Sequence, residues 1–239
     1  MAHNSLPTPH ASLSEAYATS AEATGHYIAN SDAGWGTYDS GITGENGYDE
    51  TFSGVLGGKS ILEIVRPRPD SPFIAVDLMA STTALQEMFD HLPDDVEKRG
   101  FAVSLADRRP DALQRRNEQS GIRQLTGDLA RSATFRKLKT DMNGQANIVL
   151  ARSDLGVTCL PRHRSYHAAV FNQIWGMLAI DGIGLLELPS PMTTALAGGS
   201  VDYLMDRLKD QHVLAALDLG KRALYATKSP WNAGKLELA

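Results

Sequence analysis

Cysteine is nearly absent from this 239-residue chain, where Cys159 stands alone. That excludes an intrachain disulfide and a zinc site built only from thiolates. A chain that folds without disulfides suits a reducing compartment, and a cytoplasmic setting is the expectation. Long apolar runs are lacking as well. No window reaches the about 18 apolar residues of a membrane-spanning helix, so no membrane association is expected. The first twenty residues hold no basic stretch followed by an apolar core, which argues against a signal peptide. Positive charge is not in excess either: the formal net charge is −5. No overall field draws in nucleic acid, and RNA contact would need a local basic patch. What is present is an ordinary globular composition, in a chain long enough for one large domain or one domain plus an extension.

Composition divides the chain into three parts. Residues 1–20 are rich in Ser, Ala, Pro and His and read as a flexible N-terminal arm. Residues 21–58 hold many turn-forming Gly, Asp and Asn residues without clean periodicity. They also hold Tyr27, Trp35, Tyr38, Tyr48 and Phe52, which are costly to leave in water. This segment is therefore expected to pack on the main domain, as a wrap or as a cap over a substrate.

From residue 59 to 239, strand-like and helix-like pieces alternate. KSILEIVRP reads as a short helix ended by Pro67. Strands are expected at 73–78, 101–106, 122–126, 147–152 and 183–188, and helices near 82–91, 131–141, 165–179 and 200–210. HVLAALDL and RALYATK flank Gly220-Lys221 and read as a hairpin. Such alternation implies a doubly wound α/β domain with a mostly parallel sheet and an antiparallel C-terminal edge. Ser229-Pro230-Trp231 reads as an anchor for the tail.

The most informative absence is glycine in FIAVDLMASTTALQEMF, residues 73–89. In an open α/β sheet, ligands gather at the carboxyl ends of the strands. A strand-to-helix turn that holds a nucleotide-type cofactor is usually glycine-rich, because the backbone must come close. Here Met79, Ala80, Ser81, Thr82 and Thr83 fill the turn. Acids nonetheless follow the strands in order: Asp77 near the end of the first, Asp107 after the second, Asp128 after the third, Asp154 after the fourth. A lone strand-end Asp usually caps a helix; four in sequence point to a ligand site.

Residues 59–228, about 70% of the chain, resemble the class I S-adenosylmethionine-dependent methyltransferases, and in pattern the FtsJ-type ribose methyltransferases. The resemblance rests on FIAVDLMASTTALQEMF, AVSLADRR, RQLTGDLARSATFRKL, NIVLARSDLG and IDGIGLLELPS, with the terminal hairpin as the last two strands. It implies a Rossmann-like methyltransferase fold with S-adenosylmethionine as cofactor. It places Asp77, Ala80, Ser81 and Thr82 at the methionine end of that cofactor, Asp107 at its ribose and Asp128 at its adenine. FtsJ-type enzymes deprotonate a ribose hydroxyl with a Lys-Asp-Lys-Glu set. Asp154 fits the Asp and Lys59 lies near the first Lys, but the fifth strand offers Glu187 or Leu188 in place of the second. Ribose methylation is therefore not carried over.

Beside Asp154, the candidates for catalysis are His163 and His167 in PRHRSYH, four apart and on one face if helical. With no carboxylate nearby they do not complete a metal set, and no metal is expected. DRRPDALQRRNEQ and RSATFRKLK cluster Arg and Lys; they read as solvated helix faces or as contacts for RNA phosphates. The leading expectation is a methyltransferase acting on a nucleic acid or small molecule. The alternative is an inactive member of the fold, serving as scaffold or as the protein partner of an active enzyme. An enzyme using another adenine nucleotide is a third reading, weakened because pyrophosphate binding needs close backbone amides.

Overall fold

The computed structural model of the chain describes residues 41–45, 47–68, 71–78, 82–104, 107, 109–127, 129, 132–152, 164–188, 193, 196 and 201–238. Its seven strands are β1 (Phe73–Leu78), β2 (Lys98–Ser104), β3 (Ile122–Thr126), β4 (Ala146–Ala151), β5 (Leu178–Glu187), β6 (Leu214–Asp218) and β7 (Ala223–Thr227). They form one sheet in the order β3-β2-β1-β4-β5-β7-β6. The first five run parallel, while β7 pairs antiparallel with both β5 and β6. The expected doubly wound α/β sheet with an antiparallel C-terminal hairpin is thus the observed one.

β1 lies near the middle of the sheet, and all six of its residues are buried. That is why its sequence is a continuous apolar run rather than an alternation. Alternate residues feed two cores: Ile74, Val76 and Leu78 enter one, Phe73 and Ala75 the other. The second core is covered by α3 (Thr83–His91), which presents Ala84, Leu85, Met88 and Phe89 along one helical face. The first is covered by α5 (Ser132–Met142) through Phe135, Leu138 and Met142, by α6 (Arg164–Trp175), and by α7 (Val201–Asp210) through Leu204 and Leu208. α4 (Asp111–Gln119) differs from these, since Asn117 is its one buried residue. No helix among the described residues is long and apolar enough to cross a membrane.

The segment before the sheet takes part in the second core. α1 (Tyr48–Phe52) buries both of its end aromatics, which stack at 6.1 Å, and Ile42 is buried with them. Asp49 on α1 ties it to α2 (Ile61–Ile64), accepting from the Ser60 hydroxyl at 2.5 Å and the Ile61 amide at 2.7 Å. Glu87 on α3 clamps the start of the segment by accepting from the amides of Ile42 and Thr43. A side chain at Gly41 would meet that same carboxylate and push it off the clamp.

The C-terminal tail crosses α6, and of Ser229-Pro230-Trp231 it is Ser229, not the indole, that joins the anchor. Trp231 is 85% exposed. Its neighbour Asn232 does the anchoring: its amide donates to the carbonyl of His212 at 2.7 Å and its side-chain oxygen accepts from the Ser229 amide at 2.7 Å. Further on, Asn172 exchanges two hydrogen bonds with the backbone of Leu236, while Leu236 and Leu238 are buried. These two leucines supply the apolar contact of the tail.

Candidate functional site

The parallel strands bring their carboxyl ends to one edge. There the sheet register sets Asp77 beside Ala102 of β2 and Leu150 of β4. Asp77 is fully buried, and the Tyr48 hydroxyl donates to its Oδ1 at 2.5 Å. Its Oδ2 is buried without a hydrogen-bond partner among the described residues. Burial pushes the Asp77 carboxyl well above the usual aspartate range; the Tyr48 hydrogen bond and the nearby Arg152 charge pull the other way without offsetting it. Burial, followed by the Asp77 charge, likewise raises the Tyr48 phenol.

At the end of β2, Asp107 is a carboxylate held by Arg109. The Arg109 side chain donates at 2.9 Å to Oδ1 and at 2.7 Å to Oδ2, and the Arg109 amide adds a third bond at 3.2 Å. These hydrogen bonds hold the Asp107 carboxyl below its ordinary range, with burial opposing. The Asp107 side chain keeps 32% of its surface exposed, against 12% for Arg109. Arg109 also donates to Asn117 Oδ1 at 2.9 Å, and the Thr82 hydroxyl donates to the same oxygen at 2.5 Å. Asn117 in turn meets Gln86, which reaches Asp90 and Ser120. This explains α4: a helix with no apolar face is held by a buried polar network instead of a core.

Thr82 bears directly on the missing glycines. Its backbone has φ −82°, in the right-handed region, and α3 begins at the next residue. A β-branched side chain is unstrained there, so position 82 needs no glycine. Its hydroxyl is turned to Asn117.

A second group of residues gathers where β4, β5 and the hairpin meet. Ala151 pairs with Leu186, and Glu187 pairs with Ala223. The residues just beyond those pairs, Arg152 and Arg222, therefore flank Glu187. Arg152 Nε lies 3.8 Å from Glu187 Oε2, and Arg222 Nη2 lies 3.3 Å from Oε1. With Thr51, Gly220 and Lys221 they line a cleft of about 270 Å³. The Arg152 guanidinium also sits 5.5 Å from the centre of the Tyr48 ring. Arg152 thereby joins the cleft to the buried Tyr48–Asp77 pair.

Of the nine sequence-predicted site residues, the structure describes four. Asp77 and Asp107 lie at the ends of adjacent strands, and Thr82 reaches Asp107 through Asn117 and Arg109. His167 is fully buried on α6 and is not among the residues lining the cleft. Ala80, Ser81, Asp128, Asp154 and His163 lie outside the described residues. Sequence reasoning missed Tyr48, Arg109, Arg152 and Arg222 as site residues. Arg152 and Arg222 adjoin strand ends, a position whose meaning is legible only when the register is known, whereas Tyr48 lies on α1 and Arg109 in the loop after β2.

No protein-family model and no curated protein matches the sequence. Solved structures do resemble the fold. A precorrin-6y C5,15-methyltransferase from Geobacter metallireducens GS-15 matches at 14% identity and TM-score 0.44, covering 83% of this chain and 96% of that one. The CurJ carbon methyltransferase matches at 11% identity and TM-score 0.42, covering 69% of this chain and 50% of that one. S-adenosylmethionine-bound CalS10, an amino pentose methyltransferase from Micromonospora echinaspora, matches at 18% identity and TM-score 0.32, covering 59% and 47%. The matched region spans about half the length of CurJ and of CalS10. The sheet is a doubly wound, Rossmann-like α/β sheet. What decides this is the strand order, with five parallel strands turned at β1 and β4 and the last strand inserted antiparallel beside β5.

Proposed function

We propose that the chain is an S-adenosylmethionine-dependent methyltransferase acting on a small molecule. The observation that carries this reading is the pair of acids at the carboxyl edge, Asp77 in β1 and Asp107 just after β2. Asp77 has a buried oxygen without a described partner, and Asp107 is a carboxylate open on one side. An orphaned buried oxygen fits a hydrogen bond from the cofactor's amino-acid end, and an exposed carboxylate edge fits ribose hydroxyls. When bound, S-adenosylmethionine supplies an electrophilic methyl group on sulfur. Asp107 would hold the ribose and Asp77 the methionine end, with Ala80, Ser81 and Asp128 proposed for the rest of the cofactor. Asp154 and His163, in the stretch between β4 and α6, are proposed for the reacting side, with buried His167 limited to positioning. Methyl transfer needs chiefly alignment of nucleophile, methyl and sulfur, and a base only where the nucleophile loses a proton.

A small molecule is favoured over RNA because basic residues on the α3–α4 side are engaged by acids. Arg116 pairs with Asp90 at 2.9 Å and Arg109 pairs with Asp107. Calorimetric titration with S-adenosylmethionine and with its demethylated product is the test. One site per chain is expected, lost in Asp107→Ala; no heat at millimolar ligand with the protein folded would overturn the reading.

One observation favours the non-catalytic alternative: Arg109 engages both oxygens of Asp107. If that pair is permanent, Arg109 takes the place of the ribose, and the fold serves as a scaffold or partner subunit. The same titration separates the two readings.

A further inference from the structure

We infer that the cleft between β4, β5 and the β6–β7 turn binds an oxyanion group, a carboxylate or a phosphate, carried by the small-molecule substrate. The inference rests on the methyltransferase reading for the word substrate, but the anion site stands on its own geometry. Three cations, Arg152, Lys221 and Arg222, surround the cleft, against two carboxylates, Glu50 and Glu187. Both guanidiniums converge on Glu187 from opposite sides. Arg152 keeps only 14% of its side-chain surface exposed and Arg222 keeps 45%. One guanidinium is therefore poorly screened by water, while the other faces the opening. Glu187 holds the two in place, and the planar N–H forks of Arg match the oxygens of a carboxylate or phosphate. Lys221 is fixed at the rim, where its ammonium donates to the backbone carbonyl of Glu50.

The backbone supports the same view. Arg222 has φ +55°, in the left-handed region where glycine or asparagine sits without strain. A long cationic side chain occupies that conformation one residue before Ala223, the register partner of Glu187. At about 270 Å³ the cleft holds a head group rather than a whole drug-sized ligand. It adjoins Tyr48 through Arg152, so a substrate anchored there would point its remainder toward the end of β1, where the cofactor is proposed to lie.

The test uses the full chain with two probes, inorganic phosphate and malonate, followed by NMR line shifts and by calorimetry. Arg222→Gly removes one guanidinium while relaxing the backbone, so the variant keeps its fold; Lys221→Ala serves as a second, exposed substitution. The expected result is saturable binding of at least one probe, weakened about tenfold or more in Arg222→Gly. Phosphate alone marks a phosphoester substrate and malonate alone an organic acid. No saturable binding of either probe, or equal binding by wild type and Arg222→Gly, overturns the inference. Titration with S-adenosylmethionine in parallel separates the two readings. Anion binding without cofactor binding sinks the methyltransferase proposal and leaves this site standing. Cofactor binding without anion binding does the reverse.

Discussion

Replacing Asp77 by Asn tests whether the strand-end carboxyl is as deeply desolvated as the geometry makes it. Asp77 is fully buried, with one oxygen bonded to Tyr48 and the other without a described partner. Burial raises its folded pKa above the unfolded value. The folded chain therefore keeps a proton that the unfolded chain releases above about pH 4. This contribution to stability is full below that pH and is lost as pH rises toward the folded pKa. In that window the slope is about 1.4 kcal/mol per pH unit for one proton. Asn carries no such proton. Urea unfolding of wild type and Asp77→Asn from pH 4 to pH 8 should show the variant gaining on wild type with that slope. A constant offset of about 1–3 kcal/mol is expected in addition, because the new amide meets the position where Oδ2 has no partner among the described residues. Tyr48→Phe provides the control. It removes the donor from a buried acceptor, costs about 1–3 kcal/mol, and leaves the pH dependence in place. Parallel curves for wild type and Asp77→Asn would refute the reasoning, since a carboxyl that ionises alike in both states has no linkage to lose.

Arg109→Ala should free Asp107 and tighten S-adenosylmethionine binding about tenfold by calorimetry, while lowering thermal stability because Asn117 loses a donor. Weaker cofactor binding in that variant would mean that Arg109 contacts the ligand. Thr82→Gly restores a glycine where φ is already −82°, so it should bring no gain in cofactor affinity and should cost about 1 kcal/mol in urea unfolding; a clear gain in affinity would contradict the assigned backbone. Asn172→Ala removes both bonds that clasp Leu236 and should speed amide hydrogen exchange in residues 234–238 before any change in the sheet.

The strands were legible where burial made the sequence uniform. FIAVDL and NIVLA read as strands because their interiors are apolar or β-branched, whereas IRQLT, buried only at Ile122, is marked by its β-branched ends alone. β2 starts at Lys98, three residues earlier than its apolar run, because its backbone pairs with β1 from Phe73 on, while the Lys98 ammonium caps the end of α3 through the carbonyls of Phe89 and Leu92. That contact has no signature in a period-two pattern. β5 begins at Leu178, while the sequence read residues up to 179 as helix. MLAI is apolar throughout, and a short apolar run does not tell helix from strand. The positive φ at Asp181 and the register shift opposite Ala146 mark the irregularity that divides the strand. α4 has no periodicity to read, since only Asn117 is buried.

The site was legible in its acids and opaque in their partners. Asp77 and Asp107 stand at strand ends in the sequence itself. Tyr48 lies 29 residues from Asp77, in a segment read as turns, and it reaches the carboxyl only because Phe52 and Ile42 seat α1 on the second core. Arg222 was read only as the first residue of the hairpin's second run. It meets Glu187, 35 residues away, through the register of β5 with β7. Pairing of that kind is a property of the folded sheet and cannot be found by spacing.

The most direct test of the cofactor assignment is a crystal structure with S-adenosylhomocysteine bound. The account predicts density at the carboxyl ends of β1 and β2, with the ribose on Asp107, Arg109 swung aside and the amino-acid end near Asp77. Ligand bound elsewhere, or an intact Arg109–Asp107 pair with no density at that edge despite saturating ligand, would contradict it.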